Sequence, residues 1–179
     1  MTKQVAVPVV VITGPIGVGK TTVSQHLGDL LTAREIPHTV IDMDWLRDTW
    51  PRPADDRFNT RLGFRNLADV ARNSLEAGSE RFVIADVVES RHDHERYRQA
   101  IPGADVRVVR LTADMDVNRE RISRRAGEDE DPWEATRAAE LVAIMEANDV
   151  ADMVIDTTGR RPGDIAREIA SRIGWLPPD

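Results

Sequence analysis

The chain has 179 residues, 41% of them apolar and 31% charged, with a formal net charge of −7 and no cysteine. That length fits one domain with its own core. The acidic balance argues against the basic face of a general nucleic-acid binder, and the lack of cysteine excludes disulfides, cysteine-ligated zinc and thiol catalysis. The longest apolar run, residues 5–12, falls far short of the roughly 20 residues that cross a bilayer, and no signal-peptide cleavage pattern follows it. A cytoplasmic monomer or homodimer without membrane or nucleic-acid partners is expected.

In chain order, Val7–Thr13 reads as a fully buried strand dense in valine and isoleucine. Thr21–Arg34 follows as a helix, with Val23, Leu27, Leu30 and Leu31 at helical spacing. Thr39–Asp42 reads as a second strand, and Pro51 and Pro53 break the chain soon after. Thr60–Ala77 reads as a helix stopped by Gly78, and Arg81–Asp86 as a third apolar strand. A polar helix over Arg91–Ala100, a strand over Asp105–Leu111 and a helix over Asp114–Arg125 come next. After an acidic stretch at 127–132, helix Trp133–Asn148, strand Met153–Asp156 and helix Gly163–Ile173 complete the chain. Strands alternating with helices, and apolar without a period of two, imply a parallel sheet covered on both faces. Ligands of such sheets bind beyond the carboxyl ends of the strands.

The residues beyond the first strand carry the clearest chemistry. Gly14, Pro15, Ile16, Gly17, Val18, Gly19, Lys20 and Thr21 match G-x-x-x-x-G-K-[ST] throughout. Glycines let backbone N–H groups turn toward phosphate oxygens, and the helix start adds its positive end. Lys20 would reach the β and γ phosphates and the Thr21 hydroxyl would ligate Mg²⁺, with Thr22 next to them. Of the 24 basic residues only Lys3 and Lys20 are lysines, so no Asn-Lys-x-Asp guanine motif of the GTPases is present. AAA-type motors need more chain and further motifs. Asp86 ends the third strand in Phe-Val-Ile-Ala-Asp and reads as a carboxylate holding Mg²⁺, a substrate-facing carboxylate or a turn cap.

Asp42, Asp44 and Arg47 form an Asp-x-Asp-x-x-Arg stretch after the second strand. With the phosphate loop, this resembles adenylylsulfate kinases and related small-molecule P-loop kinases, including gluconate-kinase-like and chloramphenicol-phosphotransferase-like proteins. The resemblance implies one domain, 1–179, with a three-layer α/β P-loop NTPase fold: a five-stranded parallel sheet of nucleoside-kinase-like order 2-3-1-4-5, helices on both faces and a small lid at about 121–135. It implies transfer of the γ-phosphate of Mg²⁺-ATP to a hydroxyl of a small-molecule acceptor. Asp44 would orient or deprotonate that hydroxyl, and Arg47 would grip the acceptor. Asp44 read alone could also cap a helix starting at Trp45.

The same resemblance makes Arg57, Asn59 and Arg65 candidate acceptor contacts, although a plain surface helix explains them nearly as well. It makes Arg121 and Arg125, four apart on one helix face, a lid pair: the first packs on adenine and the second reaches the transferring phosphate. A solvated helix is the alternative. Arg161 would stack on adenine from the loop after the fifth strand, or be one of two exposed turn arginines. The chain lacks the Ser-Pro pair that adenylylsulfate kinases carry after strand three, and the acceptor is not identified. Two other functions stay open: a nucleotide or nucleoside kinase, in which Arg47, Arg57 and Arg65 converge on a phosphate, and a non-catalytic ATP-binding regulator. His92 and His94, at i and i+2, are not a metal pair on a helix. The four tryptophans read as packing residues, with Trp45 and Trp50 flanking Arg47.

Overall fold

The computed structural model describes residues 6–126 and 132–177. The strands are β1 (Val7–Thr13), β2 (Thr39–Asp42), β3 (Phe82–Ala85), β4 (Ala104–Thr112) and β5 (Met153–Asp156). The helices are α1 (Lys20–Thr32), α2 (Met43–Arg47), α3 (Thr60–Glu76), α4 (Asp93–Ala100), α5 (Met115–Ala126), α6 (Pro132–Ala147) and α7 (Pro162–Arg172). All strand pairs are parallel, in the order β2-β3-β1-β4-β5. This is the expected order, and helices cover both faces.

Alternation along β1 divides the core in two, because successive strand side chains point to opposite faces. Val9 and Val11 join Leu67 of α3, Tyr97 of α4 and Leu141 of α6 on one face. Val10 and Ile12 join Leu27 and Leu31 of α1 and Ile165 and Ile169 of α7 on the other. Helices close over both faces of β1 from Val9 to Ile12, so those four residues are all apolar. No helix among the described residues is long and apolar enough to cross a membrane.

The punctuation works as its chemistry dictates. Gly78 follows the α3 C-cap at φ 98° and its N–H donates to Leu75 O, an end that glycine permits at no steric penalty. Pro162 opens α7, where its missing N–H is not needed. One element differs from expectation. The helix that Asp44 could have capped at Trp45 starts two residues earlier, as α2 over residues 43–47, and Asp42 rather than Asp44 caps it: the Asp44 N–H donates to Asp42 Oδ1 at 3.0 Å. Asp44 is thereby left with its side chain 78% exposed.

Candidate active site

The phosphate loop leaves β1 and is wedged between β4 and α5. Gly14 sits at φ 146°, and a Cβ there would lie 2.6 Å from Leu111 O and 2.9 Å from Val18 Cγ1. Leu111 O belongs to β4 and cannot step aside cheaply, so only glycine fits. Gly14→Ala is expected to lower stability by about 1–3 kcal/mol, read as a drop in the urea midpoint at unchanged slope. Farther along, Asn118 of α5 donates from Nδ2 to Ile16 O at 2.7 Å. Thr13 Oγ1 accepts from the Val88 N–H at 2.9 Å, which ties the start of the loop to the exit of β3. At the base of the loop the Lys20 ammonium donates to Gly14 O and Pro15 O, both at 3.1 Å.

Next to the loop, the Thr21 hydroxyl donates to Asp42 Oδ2 at 2.7 Å. The carboxylate that meets Thr21 is therefore Asp42, at the end of β2, and not Asp86. A hydroxyl and a carboxylate side by side suit Mg²⁺, which keeps several waters and takes its remaining oxygens from nucleotide phosphates. Among the described residues no three His, Cys, Asp or Glu side chains cluster as an all-protein metal cage.

Asp86 is buried and engaged elsewhere. Its carboxylate accepts from Arg47 Nη2, from the Tyr97 hydroxyl at 2.6 Å and from the Val87 N–H at 2.7 Å. Burial pushes its pKa above the ordinary carboxyl value, against the pull of Arg47, Tyr97 and Val87. For Arg47, burial works downward, but the carboxylates of Asp86 and Asp44 prevail and raise it. Burial, then the charge of Asp86, holds the Tyr97 phenol well above its usual value, so it remains a donor. Arg47 is held further by Nε donating to Met43 O at 3.1 Å, and Asn59 Nδ2 donates to Arg47 O at 2.9 Å, joining the start of α3 to the end of α2.

One cleft of about 1120 Å³ runs from the phosphate loop to α4 and α6, and Ile16 through Thr22, Asp44, Arg47, Asp86 and Arg121 all line it. Gly14 and Pro15 lie beneath the loop, buried, with their carbonyls on Lys20. Arg121 is packed against the nucleotide end: Nη1 donates to Thr157 Oγ1 at 3.0 Å and Val18 O at 3.3 Å, and Nη2 to Thr157 O at 3.2 Å. The Arg125 side chain and residues 127–131, the heart of the expected lid, lie outside the described residues.

Four expected contacts, Arg57, Asn59, Arg65 and Arg161, do not line the cleft. Arg65 is exposed on α3, because Gly63, Leu67 and Ala71 take the inward face. Arg57 is exposed and stacks over Phe58 and Trp133, at 5.4 and 5.8 Å from the ring centroids. Arg161 is exposed at the N-cap of α7, and its neighbour Arg160 lines the cleft instead. Asn59 is buried beneath the cleft wall and lines a smaller side pocket with Trp45 and Arg52. Trp45 and Trp50 are not packing residues but stand 77% and 88% exposed. His94 is buried with Nε2 on Val150 O at 2.8 Å, a structural contact.

Sequence reading missed Phe58, Phe64, Tyr97, Arg96, Trp133 and Arg137, which line the acceptor half. For part of this set a signal existed: Trp133, Arg137 and Leu141 recur every four residues, hence on one face of α6.

The model of the AAA domain family matches residues 10–143, the stretch that carries the phosphate loop, Asp44, Arg47 and Asp86. Chain length, which set AAA-type motors aside, does not set this family aside. A shikimate kinase from Alteromonas mediterranea is 28% identical over 174 residues, covering 91% of this chain and 95% of its own. Among solved structures, the tunicamycin resistance protein of Deinococcus radiodurans superposes with a TM-score of 0.65 at 20% identity, over 96% of this chain and 99% of its own. A gluconokinase from Sinorhizobium meliloti superposes with a TM-score of 0.62 at 20% identity, over 95% and 93%. The chain belongs to the AAA domain family and has the fold of the small-molecule P-loop kinases.

Proposed function

We propose that this protein transfers the γ-phosphate of ATP to a hydroxyl of a small molecule. The observation that carries the reading is the single cleft that joins Lys20 and the phosphate loop to Asp44 and an aromatic acceptor pocket. Names of the relatives, shikimate kinase and gluconokinase, agree with a hydroxyl acceptor.

The loop N–H groups and Lys20 hold the β and γ phosphates, and Arg121 flanks the nucleotide. Thr21 and Asp42 would hold Mg²⁺, which when bound neutralises phosphate charge. The acceptor hydroxyl lies against Asp44, its oxygen aligned with the γ-phosphorus. As the new O–P bond forms, the bridging P–O bond breaks and ADP leaves. The hydroxyl proton passes to the Asp44 carboxylate. Phosphoryl transfer asks little more of a protein than positioning and charge neutralisation.

A phosphate-bearing acceptor would need Arg47, Arg57 and Arg65 together. Arg47 is spent on Asp86, Arg65 is exposed on the outer face of α3, and Arg57 stacks on the rings of Phe58 and Trp133, so the three do not converge and the hydroxyl-acceptor reading is favoured over the nucleotide kinase. The test is ADP release over sugars, nucleosides, nucleotides and antibiotics. On the best acceptor, Asp44→Asn is expected to cut turnover by at least about a hundredfold. Unchanged turnover in that variant would remove Asp44 from the mechanism, and ATP binding without stimulation by any acceptor would favour a regulator.

A further inference from the structure

We infer that the acceptor is uncharged or cationic and carries a flat apolar face, and that it is neither a carboxylate nor a phosphate ester. This deepens the phosphotransfer reading of the same cleft and rests on it. Among the described residues, the acceptor half is lined by four guanidiniums, of Arg47, Arg52, Arg96 and Arg137, and five carboxyl groups, of Asp44, Asp86, Glu89, Asp93 and Glu134. The guanidiniums are mostly spent. Arg47 gives Nη2 to Asp86 and Nε to Met43 O. Arg137 gives Nη2 to Glu89 and Nη1 to Glu140 at 3.2 Å. Arg96 pairs with Asp93 at 3.5 Å and lies over the Phe64 ring at 5.8 Å. Only Arg52, on the exposed rim, is without a carboxylate partner among the described residues.

Anionic ligands are gripped by arginine forks with donors to spare. Away from Arg52, whose exposed charge is screened by water, an incoming anion would have to break an existing pair and leave a carboxylate of the wall uncompensated, which is unfavourable twice over. A hydroxyl or an amine meets no such penalty, since it can donate to Asp44 or Glu89 with the pairs intact. The rest of the wall is aromatic. Phe58 and Trp133 line the cleft yet remain 39% and 40% exposed, and Phe64 packs edge-on against buried Tyr97 with centroids 5.1 Å apart. Such surface is covered well by the flat face of a sugar, a nucleobase or an aryl group. The charge balance repels one class and the rings attract another, so selectivity comes from both.

Matched pairs test this: phenyl glucoside against phenyl glucuronide, uridine against its monophosphate, and methyl shikimate against shikimate. Binding is followed on the protein saturated with Mg²⁺ and a non-hydrolysable ATP analogue, through the indole N–H resonance of Trp133, assigned with Trp133→Phe. The uncharged member of a pair is expected to bind about tenfold tighter or more. In Glu89→Gln, which removes the charge that holds Nη2 of Arg137 and leaves Nη1 on Glu140, the gap should close by about tenfold. Charged members that bind the parent as tightly as the uncharged ones overturn the inference, and so does a cleft that takes neither member of any pair. ADP release is measured separately with ATP. Bound uncharged compounds that stimulate none would sink phosphotransfer while leaving the charge preference standing, and turnover led by the charged members would do the reverse.

Discussion

Replacing Lys20 by alanine is expected to lower acceptor-dependent ATP turnover by about a thousandfold, the scale lost when a preorganised charge partner is removed from a reacting group. Lys20 is positioned before nucleotide arrives, because the carbonyls of Gly14 and Pro15 hold its ammonium at the base of the loop. The glycine-shaped turn fixes those carbonyls in turn, since Gly14 packs on the β4 backbone. On binding, phosphate oxygens would replace the carbonyls around the same cation. Stability should change much less: losing two bonds to loop carbonyls costs about 1–3 kcal/mol, which a domain worth about 5–15 kcal/mol survives. Lys20→Arg is expected to restore little, because a planar fork does not fit where a compact ammonium sits. Single-turnover ADP formation alongside a urea titration separates the two effects. If Lys20→Ala turned over at a rate within about tenfold of the parent, the phosphate loop would not be the catalytic jaw.

The phosphate loop and the alternation of strands with helices are legible in the sequence for a physical reason, since both are set by short-range pattern, whereas the order of the strands followed only from the family resemblance. The glycines from Gly14 to Gly19 act through their own backbone, and the middle of a doubly covered strand is apolar at consecutive positions, as Val9 to Ile12 are. The acceptor side depends on which strand ends lie together, and that information is spread along the chain. Thr21 and Asp42 are neighbours because the end of β2 lies beside the start of α1, a juxtaposition that the sequence alone does not announce, and in the sequence Asp86 stays open to a magnesium-holding, substrate-facing or capping role. Asp86 finds Tyr97 only through the turn into α4, a contact that no fixed spacing announces. Arg65 is another matter, since Gly63, Leu67 and Ala71 already mark the inward face of α3 and leave Arg65 outside it. Asp42 escaped notice as a cap because α2, at five residues, is too short for a hydrophobic period to show.

The place of Asp86 can be tested against that of Asp42 by asking which change hurts folding and which hurts metal use. Asp86→Ala is expected to lower stability by about 3–5 kcal/mol, since it leaves the Arg47 guanidinium largely buried without its counter-ion. The Tyr97 hydroxyl loses its acceptor in the same change. Tyr97→Phe, which keeps the ion pair and the ring packing on Phe64, should cost only about 1 kcal/mol. Asp42→Asn removes one charge next to Thr21 and weakens the α2 cap, with a stability loss of about 0.5–2 kcal/mol. Its main effect is on magnesium: the concentration for half-maximal turnover should rise about 10–100-fold. The two profiles therefore cross, with Asp86 dominating the urea midpoint and Asp42 the magnesium titration. An Asp86→Ala protein that unfolds like the parent but needs far more magnesium would reverse the assignment. It would make Asp86 the metal's carboxylate, and Arg47 would then be free to grip an anionic acceptor, so the same experiment also bears on the charge of the substrate.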